Sequence, residues 1–352
     1  MFYKTFKNKK VLITGHTGFK GSWLSIWMYL LGAKVVGISL YIPSIPSNYK
    51  VSKIGKFIKS YNADITNYKK ISKIILKENP DFVFHLAAQA IVSKSFHQSL
   101  ITYNTNILGT INILETLKKI KKKCVGVIIT SDKCYYNKER EFGYKETDRL
   151  GGDDPYSASK ASAEIIFKAY YKSFFSHKGS NIRIGSARAG NVIGGGDWAN
   201  DRLIPDCIRA WQNSKKVVLR NPHSTRPWQH VLEPLSGYIT FAINLYNSKK
   251  LSGESFNFGP PDENNYTSLQ LVTKMSKHWN NVKWDIKKNK TFNESKLLKL
   301  NCEKAKLILK WKPKLNFDDT VYYTADWYKF FYTNKMKILE KTISQINFYI
   351  KA

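Results

Sequence analysis

Val11-Leu12-Ile13-Thr14-Gly15-His16-Thr17-Gly18-Phe19-Lys20-Gly21-Ser22 is the stretch on which the fold turns. A short apolar run leads into three glycines spaced Gly-x-x-Gly-x-x-Gly. A helical pattern, 22–31, follows, with Trp23 and Trp27 four apart on one face. Glycines at a strand-to-helix junction permit a tight turn and a close approach by a ligand. The helix beyond them presents unpaired N–H groups and the positive end of its dipole. A pyrophosphate fits such a place. The stretch therefore predicts a dinucleotide site, with Gly15, Thr17, Gly18, Phe19 and Lys20 beside the cofactor.

Working outward, 34–40, 81–86, 126–130 and 182–187 read as strands, and 68–77, 103–121 and 157–175 as helices. This alternation predicts an α/β chain built on a doubly wound parallel Rossmann sheet, with a smaller, partly discontinuous C-terminal substrate domain. At 352 residues the chain exceeds one ordinary core. The expected dinucleotide domain is 1–190 plus about 231–260, because 231–246 reads as a buried helix returning to the sheet. Residues 191–230 and about 261–352 form the expected substrate domain. The second strand ends Ser39-Leu40-Tyr41, with no acid for an adenosine ribose. No arginine lies nearby for a 2′-phosphate, which tilts the expectation to NAD over NADP. Asp64 is placed to accept from adenine, or else to cap the helix that follows.

Composition removes several classes. The formal net charge is +31. The lysines are spread along the whole chain without an aromatic-interleaved stripe, so they read as a solvated surface rather than a nucleic-acid site. All arginines lie between Arg140 and Arg226, where their planar forks point to phosphate or carboxylate recognition. Cys124, Cys134, Cys207 and Cys302 lack metal spacing and read as free thiols in a reducing cytosol. The N-terminus shows no apolar signal region. The longest apolar stretch, near 23–31, is too short to cross a bilayer. The expectation is a cytoplasmic protein with no metal, no membrane and no nucleic-acid partner.

Two further clusters carry chemistry. Tyr156-Ser157-Ala158-Ser159-Lys160 opens a helix after Pro155, and spacing of four puts Tyr156 and Lys160 on one face. A lysine ammonium and a cationic cofactor ring both favour a phenolate, which then takes a hydroxyl proton. Ser131-Asp132-Lys133 ends a strand, where such sheets place their sites. The structural alternative is that Asp132 only caps the strand end while Lys133 points to water.

Gly15–Gly21, His85-Leu86-Ala87-Ala88-Gln89-Ala90, Asn104-Thr105-Asn106 and Tyr156–Lys160 together resemble the extended short-chain dehydrogenase/reductases. The segments 130–135, 187–198, 201–206 and 226–231 are similar to the nucleotide-sugar 4,6-dehydratases, nearest their CDP-sugar branch. The resemblance runs from the first strand to about residue 260 and is loose beyond it. It implies NAD held by the glycine loop, Asp64, Ile65, Leu86, Ala87, Ala88, Gln89, Asn106, Tyr156 and Lys160. It implies oxidation at sugar C4, loss of water across C5 and C6, and hydride return to C6. Ser131 matches the hydroxyl that binds the C4 oxygen, and Asp132 the acid that protonates the leaving hydroxyl. Most relatives carry glutamate next, as the C5 base. Here Lys133 stands there, as in the CDP-sugar branch, and a lysine is a base only with a lowered pKa. Asn191, Arg202, Arg220, Arg226 and His230 are the expected substrate contacts. The helices 103–121 and 157–175 match those that pair in a homodimer, and the product would feed deoxysugar synthesis, including that of lipopolysaccharide. A 4-epimerase is the nearest rival, but it needs no elimination pair. A non-catalytic dinucleotide sensor commonly lacks the tyrosine or lysine.

Overall fold

The computed structural model describes residues 2–260, 265–279, 282–286 and 297–352. Strands β1 (Lys10–Thr14), β2 (Lys34–Ser39), β3 (Lys59–Asn62), β4 (Phe82–His85), β5 (Cys124–Ile129) and β6 (Ile182–Arg188) alternate with helices. Short strands β7 (Val192–Ile193), β8 (Val217–Leu219), β9 (Thr225–Arg226) and β10 (Gln229–His230) follow. After them come β11 (Ser255–Asn257), β12 (Tyr266–Thr267) and β13 (Trp284–Ile286). One seven-stranded sheet, ordered β11-β6-β5-β4-β1-β2-β3, is parallel throughout. This is the expected doubly wound Rossmann sheet. The order reverses between β1 and β4, so the cleft opens at their C-terminal ends.

Alternation along the strands builds two cores. Val11 and Ile13 of β1, Phe82 and Phe84 of β4, and Val125 and Val127 of β5 face one layer of helices. Leu12, Val83 and Ile128 face the other. The first layer includes the helices Phe19–Leu30 and Leu232–Asn247, and the second Tyr68–Glu78, Gly109–Leu117 and Pro155–Tyr170. Strand β3, Lys59-Ser60-Tyr61-Asn62, is an edge strand with charged and polar residues. It lacks the β-branched run that marked its neighbours, so the sequence reading passed over it.

The helix expected over 103–121 is interrupted. Ser99–Tyr103 is α-helical, Asn104–Leu108 forms a π-turn, and Gly109–Leu117 resumes the α-helix. The π-turn carries Asn106, which is buried.

The helix Leu232–Asn247 covers β5 and β6, and β11 pairs with β6. The chain beyond 260 was expected in the substrate domain; residues 261–264, 280–281 and 287–296 of that range lie outside those described. The helix Ile338–Lys351 lies instead on Phe19–Leu30, with the Tyr349 and Trp27 rings 5.8 Å apart. The Tyr349 hydroxyl donates to Glu233 at 2.6 Å, and the Lys314 and Leu315 N–H groups donate to the same carboxylate. Burial pushes the Glu233 carboxyl up, against these hydrogen bonds. Trp198 packs among Trp327, Tyr328 and Phe331, so it is a core residue and not a free stacking surface.

Candidate active site

The glycine loop closes on itself through Gly18 N–H to Gly15 O (3.0 Å), and Gly15 adopts φ +75°. A Cβ on Gly21 would sit 2.1 Å from the Gly15 oxygen, so only glycine lets the helix start this close to the loop. The helix Phe19–Leu30 has no side-chain cap and no acid in its first turn. Its leading N–H groups therefore face the cleft without an intrahelical acceptor. This is an anion cradle, and a dinucleotide pyrophosphate fits it.

The loop's side chains serve different ends. Thr17 donates its hydroxyl to the Tyr41 carbonyl (2.7 Å) and its N–H to Ser39 Oγ. Ser39 Oγ also meets His16 Nδ1, and His16 Nε2 meets Ser60. Burial pushes His16 down to about 4, so a neutral imidazole network occupies the end of β2. Neither acid nor base charge stands there.

Beyond β4, Leu86 and Ala87 press their backbone against Gly15. The Ala87 N–H donates to Thr14 Oγ1. The Gln89 side chain is engaged by Thr102 and Ile91, and its backbone N–H donates to Asn106 Oδ1. Asn106 also donates to Ser159 Oγ at 2.8 Å, tying the β4 loop to the Tyr-Lys helix. Gln89 and Asn106 thus brace the loop that follows β4. Asp64 accepts from Thr66 N–H in a local turn, while Asn67 caps the next helix. Ile65 is buried over Gly109.

Asp132–Cys134 forms a 3-10 turn just beyond β5, with Ser131 as its N-cap. Asp132 is 3% exposed. Its Oδ1 accepts from Ser131 Oγ (2.8 Å) and Lys133 N–H (3.0 Å), and its Oδ2 from Asn191 Nδ2 (3.2 Å). A Cβ on Gly190 would fall 2.0 Å from Oδ2, so glycine there admits the carboxylate. The Lys133 ammonium is half-buried, with no hydrogen bond or ion pair among the described residues.

Asp154 caps the helix Pro155–Tyr170 by accepting from Ser157 N–H at 2.9 Å, with Pro155 pre-setting the first turn. Tyr156 in that turn is hydrogen-bonded to Ser131. Burial pushes Tyr156 up to about 12, with the Ser131 bond pulling the other way. Burial pushes Lys160 down to about 8, opposed by Cys134 and Glu164. In the chain alone burial therefore outweighs the lysine-assisted lowering expected for Tyr156. Lys20 joins this cluster. Burial, Arg202 and Lys160 push it down to about 8, and Asp132 opposes them.

The expected substrate contacts divide. Asn191 reaches Asp132 as described. Arg202 ion-pairs with Asp197 (2.7 Å) while bearing on Tyr156 and Lys20. Arg220 sits apart with Asp201 (3.5 Å), in an open depression of about 560 Å³ shared with Arg209 and Lys216. Arg226 is buried in β9 and donates to the Thr225 carbonyl. His230 is a correction: it is 0% exposed between Trp23 and Tyr323, and burial holds its pKa down at about 3. It offers a ligand no surface. The arginine clustering misled in the same way, since Arg140, Arg183, Arg188 and Arg209 grip the protein's own carbonyls and carboxylates. Glu164 was missed, although it continues the four-residue spacing of Tyr156 and Lys160. Among the described residues no metal-binding cluster occurs, and no helix is long and apolar enough to cross a membrane.

A parallel sheet with a glycine loop, a serine after β5 and a Tyr-x-x-x-Lys helix defines an extended short-chain dehydrogenase/reductase. Comparison narrows the class. The sequence profile of the GDP-mannose 4,6 dehydratase family matches residues 12–324, and the chain belongs to that family. It is 44% identical to a CDP-glucose 4,6-dehydratase of Salmonella typhimurium, over 94% of this chain and 93% of that one. A CDP-paratose 2-epimerase of Salmonella typhi is 26% identical, over 90% of this chain and 98% of that one. Among solved structures, a dTDP-glucose 4,6-dehydratase of Bacillus anthracis in complex with NAD is 24% identical with a TM-score of 0.74, covering 94% of this chain and 99% of that one.

Proposed function

We propose that the chain is an NAD-dependent nucleotide-sugar 4,6-dehydratase that converts CDP-glucose to CDP-4-keto-6-deoxyglucose. The observation that supports this best is that Ser131 and the buried Asp132 bear on Tyr156, with Lys133 next in the same turn. The similarity to the Salmonella typhimurium enzyme supports the nucleotide and the sugar. The uncapped helix, the glycine loop and the Tyr156–Lys160 face are suited to NAD. When bound, NAD takes up a hydride and gives it back, so no net redox change occurs.

The protein's residues do the rest. Ser131 hydrogen-bonds the sugar C4 oxygen, and Tyr156 takes the C4 hydroxyl proton with Lys160 favouring its phenolate. The C4 carbonyl acidifies the C5 proton, which Lys133 removes and gives back to C5 once a hydride has returned to C6. Asp132 passes a proton to the C6 hydroxyl, which leaves as water. Arg202 supplies a cationic fork for the substrate pyrophosphate, and Asn191 holds Asp132 toward the sugar. Nucleotide-glucoses incubated with trace NAD and followed by mass spectrometry test the reading. Loss of one water from CDP-glucose without NADH build-up is the expected result. An unchanged mass with a new sugar epimer would overturn it.

A homodimer belongs to the same proposal. Leu100, Ile101, Leu108 and Ile165 are exposed on the packed helices 99–117 and 155–170, an apolar face suited to a second copy. A cytoplasmic setting suits the four free cysteines, and deoxysugar supply to lipopolysaccharide suits the product.

A further inference from the structure

The side chain at Glu164 lies one helical turn beyond Lys160 and 2% exposed. Its Oε1 accepts from Thr130 Oγ1 (2.5 Å), the residue immediately before Ser131. Its Oε2 accepts from Ser186 Oγ (2.8 Å), Ser255 Oγ (3.2 Å) and Arg188 Nη2 (2.7 Å). One carboxylate thus joins the catalytic helix to β5, β6 and β11. Arg188 is held in turn by the Tyr135 hydroxyl (2.7 Å), and Tyr135 donates to Asn257. The proposed chemistry uses none of these groups directly.

We infer that Glu164 is a positioning residue: its buried carboxylate fixes Ser131 against Tyr156 and keeps the Lys160 ammonium charged for the reaction. The inference rests on the dehydratase reading for its kinetic consequence only. The groups that act on Lys160, or on which it acts, are Cys134 from the turn after β5, Glu164 from its own helix, Lys20 from the glycine loop and His85 from β4. Cys134 and Glu164 oppose the loss of its proton. Burial pushes the Cys134 thiol well up, so it stays neutral, and Glu164 is the standing negative charge. Burial pushes the Glu164 carboxyl up, but Arg188, Thr130 and Ser186 together hold it below the usual range. It therefore remains ionised across the working pH.

Removing that charge leaves burial and the Lys20 ammonium to act on Lys160, since buried His85 is neutral. Its titration midpoint must fall, and the alkaline limb of kcat must fall with it. Glu164→Gln keeps the shape and most hydrogen bonds. Should Arg188, left unpaired, prevent folding, Glu164→Gln with Arg188→Met removes both charges together. Glu164→Asp restores the charge. The readouts are kcat and KM against pH, and the titration of Lys160 in the ligand-free chain by NMR of 13C-methylated lysines, with Lys160→Met identifying the signal. The expected result is a midpoint lower by about one unit, a matching shift of the kcat limb, KM within about twofold, and partial return in Glu164→Asp. A folded variant whose Lys160 midpoint stays put, even with activity lost, would reduce Glu164 to packing and overturn the inference. Failure of wild-type chain to dehydrate any sugar nucleotide would instead sink the proposed function and leave the midpoint shift to be read on its own.

Discussion

Tyr156 and Lys160 are each pushed by burial toward the neutral form, Tyr156 up to about 12 and Lys160 down to about 8. The lysine's folded pKa lies below its ordinary 10.5. Between those values the unfolded chain binds more protons, so this group makes stability rise with pH from about 8 to 10.5. At pH 7 it is a standing cost. Lys160→Met should raise the unfolding free energy at pH 7 by about 3 kcal/mol in urea titration. The same change should cut turnover by at least about a hundredfold, as should Tyr156→Phe. Two lysines share the C5 question. Lys20→Met and Lys133→Met, assayed for solvent deuterium uptake at C5, should differ, with uptake abolished by the Lys133 change. Wild-type uptake in Lys133→Met would reassign the base. The residue types at 131–133 and 156–160 were legible because their spacing is local. His230 was not, since nothing in Trp-Gln-His distinguishes a ligand from a ring packed on Trp23.

At the scale of elements, catalysis depends on how two turns begin. Asp154 caps the helix whose first turn holds Tyr156. Asp154→Ala should cost about 1 kcal/mol, measured by denaturant, and lower kcat more than it raises KM. Gly21→Ala would push a methyl into the Gly15 oxygen and should destabilise by roughly 1–3 kcal/mol while weakening NAD binding in calorimetry. The glycine loop was readable because only backbone geometry was at stake. The π-turn at Asn104–Leu108 was not, since no propensity marks it, yet it turns Asn106 inward to link Gln89 with Ser159. Glu164 lay within reach of the same four-residue spacing that marked Tyr156 and Lys160. What hid it was its partners, which come from strands distant in sequence.

At the scale of the molecule, the parallel, doubly wound sheet followed from the alternation of patterns, whereas the placing of the C-terminal helices did not. Their apolar faces say that they are buried, but not against which element. The exposed face around Ile165 makes a prediction at this scale. On the proposed homodimer, Ile165→Glu should leave the fold intact by circular dichroism and shift the light-scattering mass from dimer to monomer. Tyr349 against Trp27 sets a condition of another kind. A ribosome delivers β1 and the glycine loop first, yet part of the cover of the helix Phe19–Leu30 comes from residues 338–351. For most of synthesis Trp27 has the Phe2 ring but lacks Tyr349, which makes this early helix a natural client for chaperones.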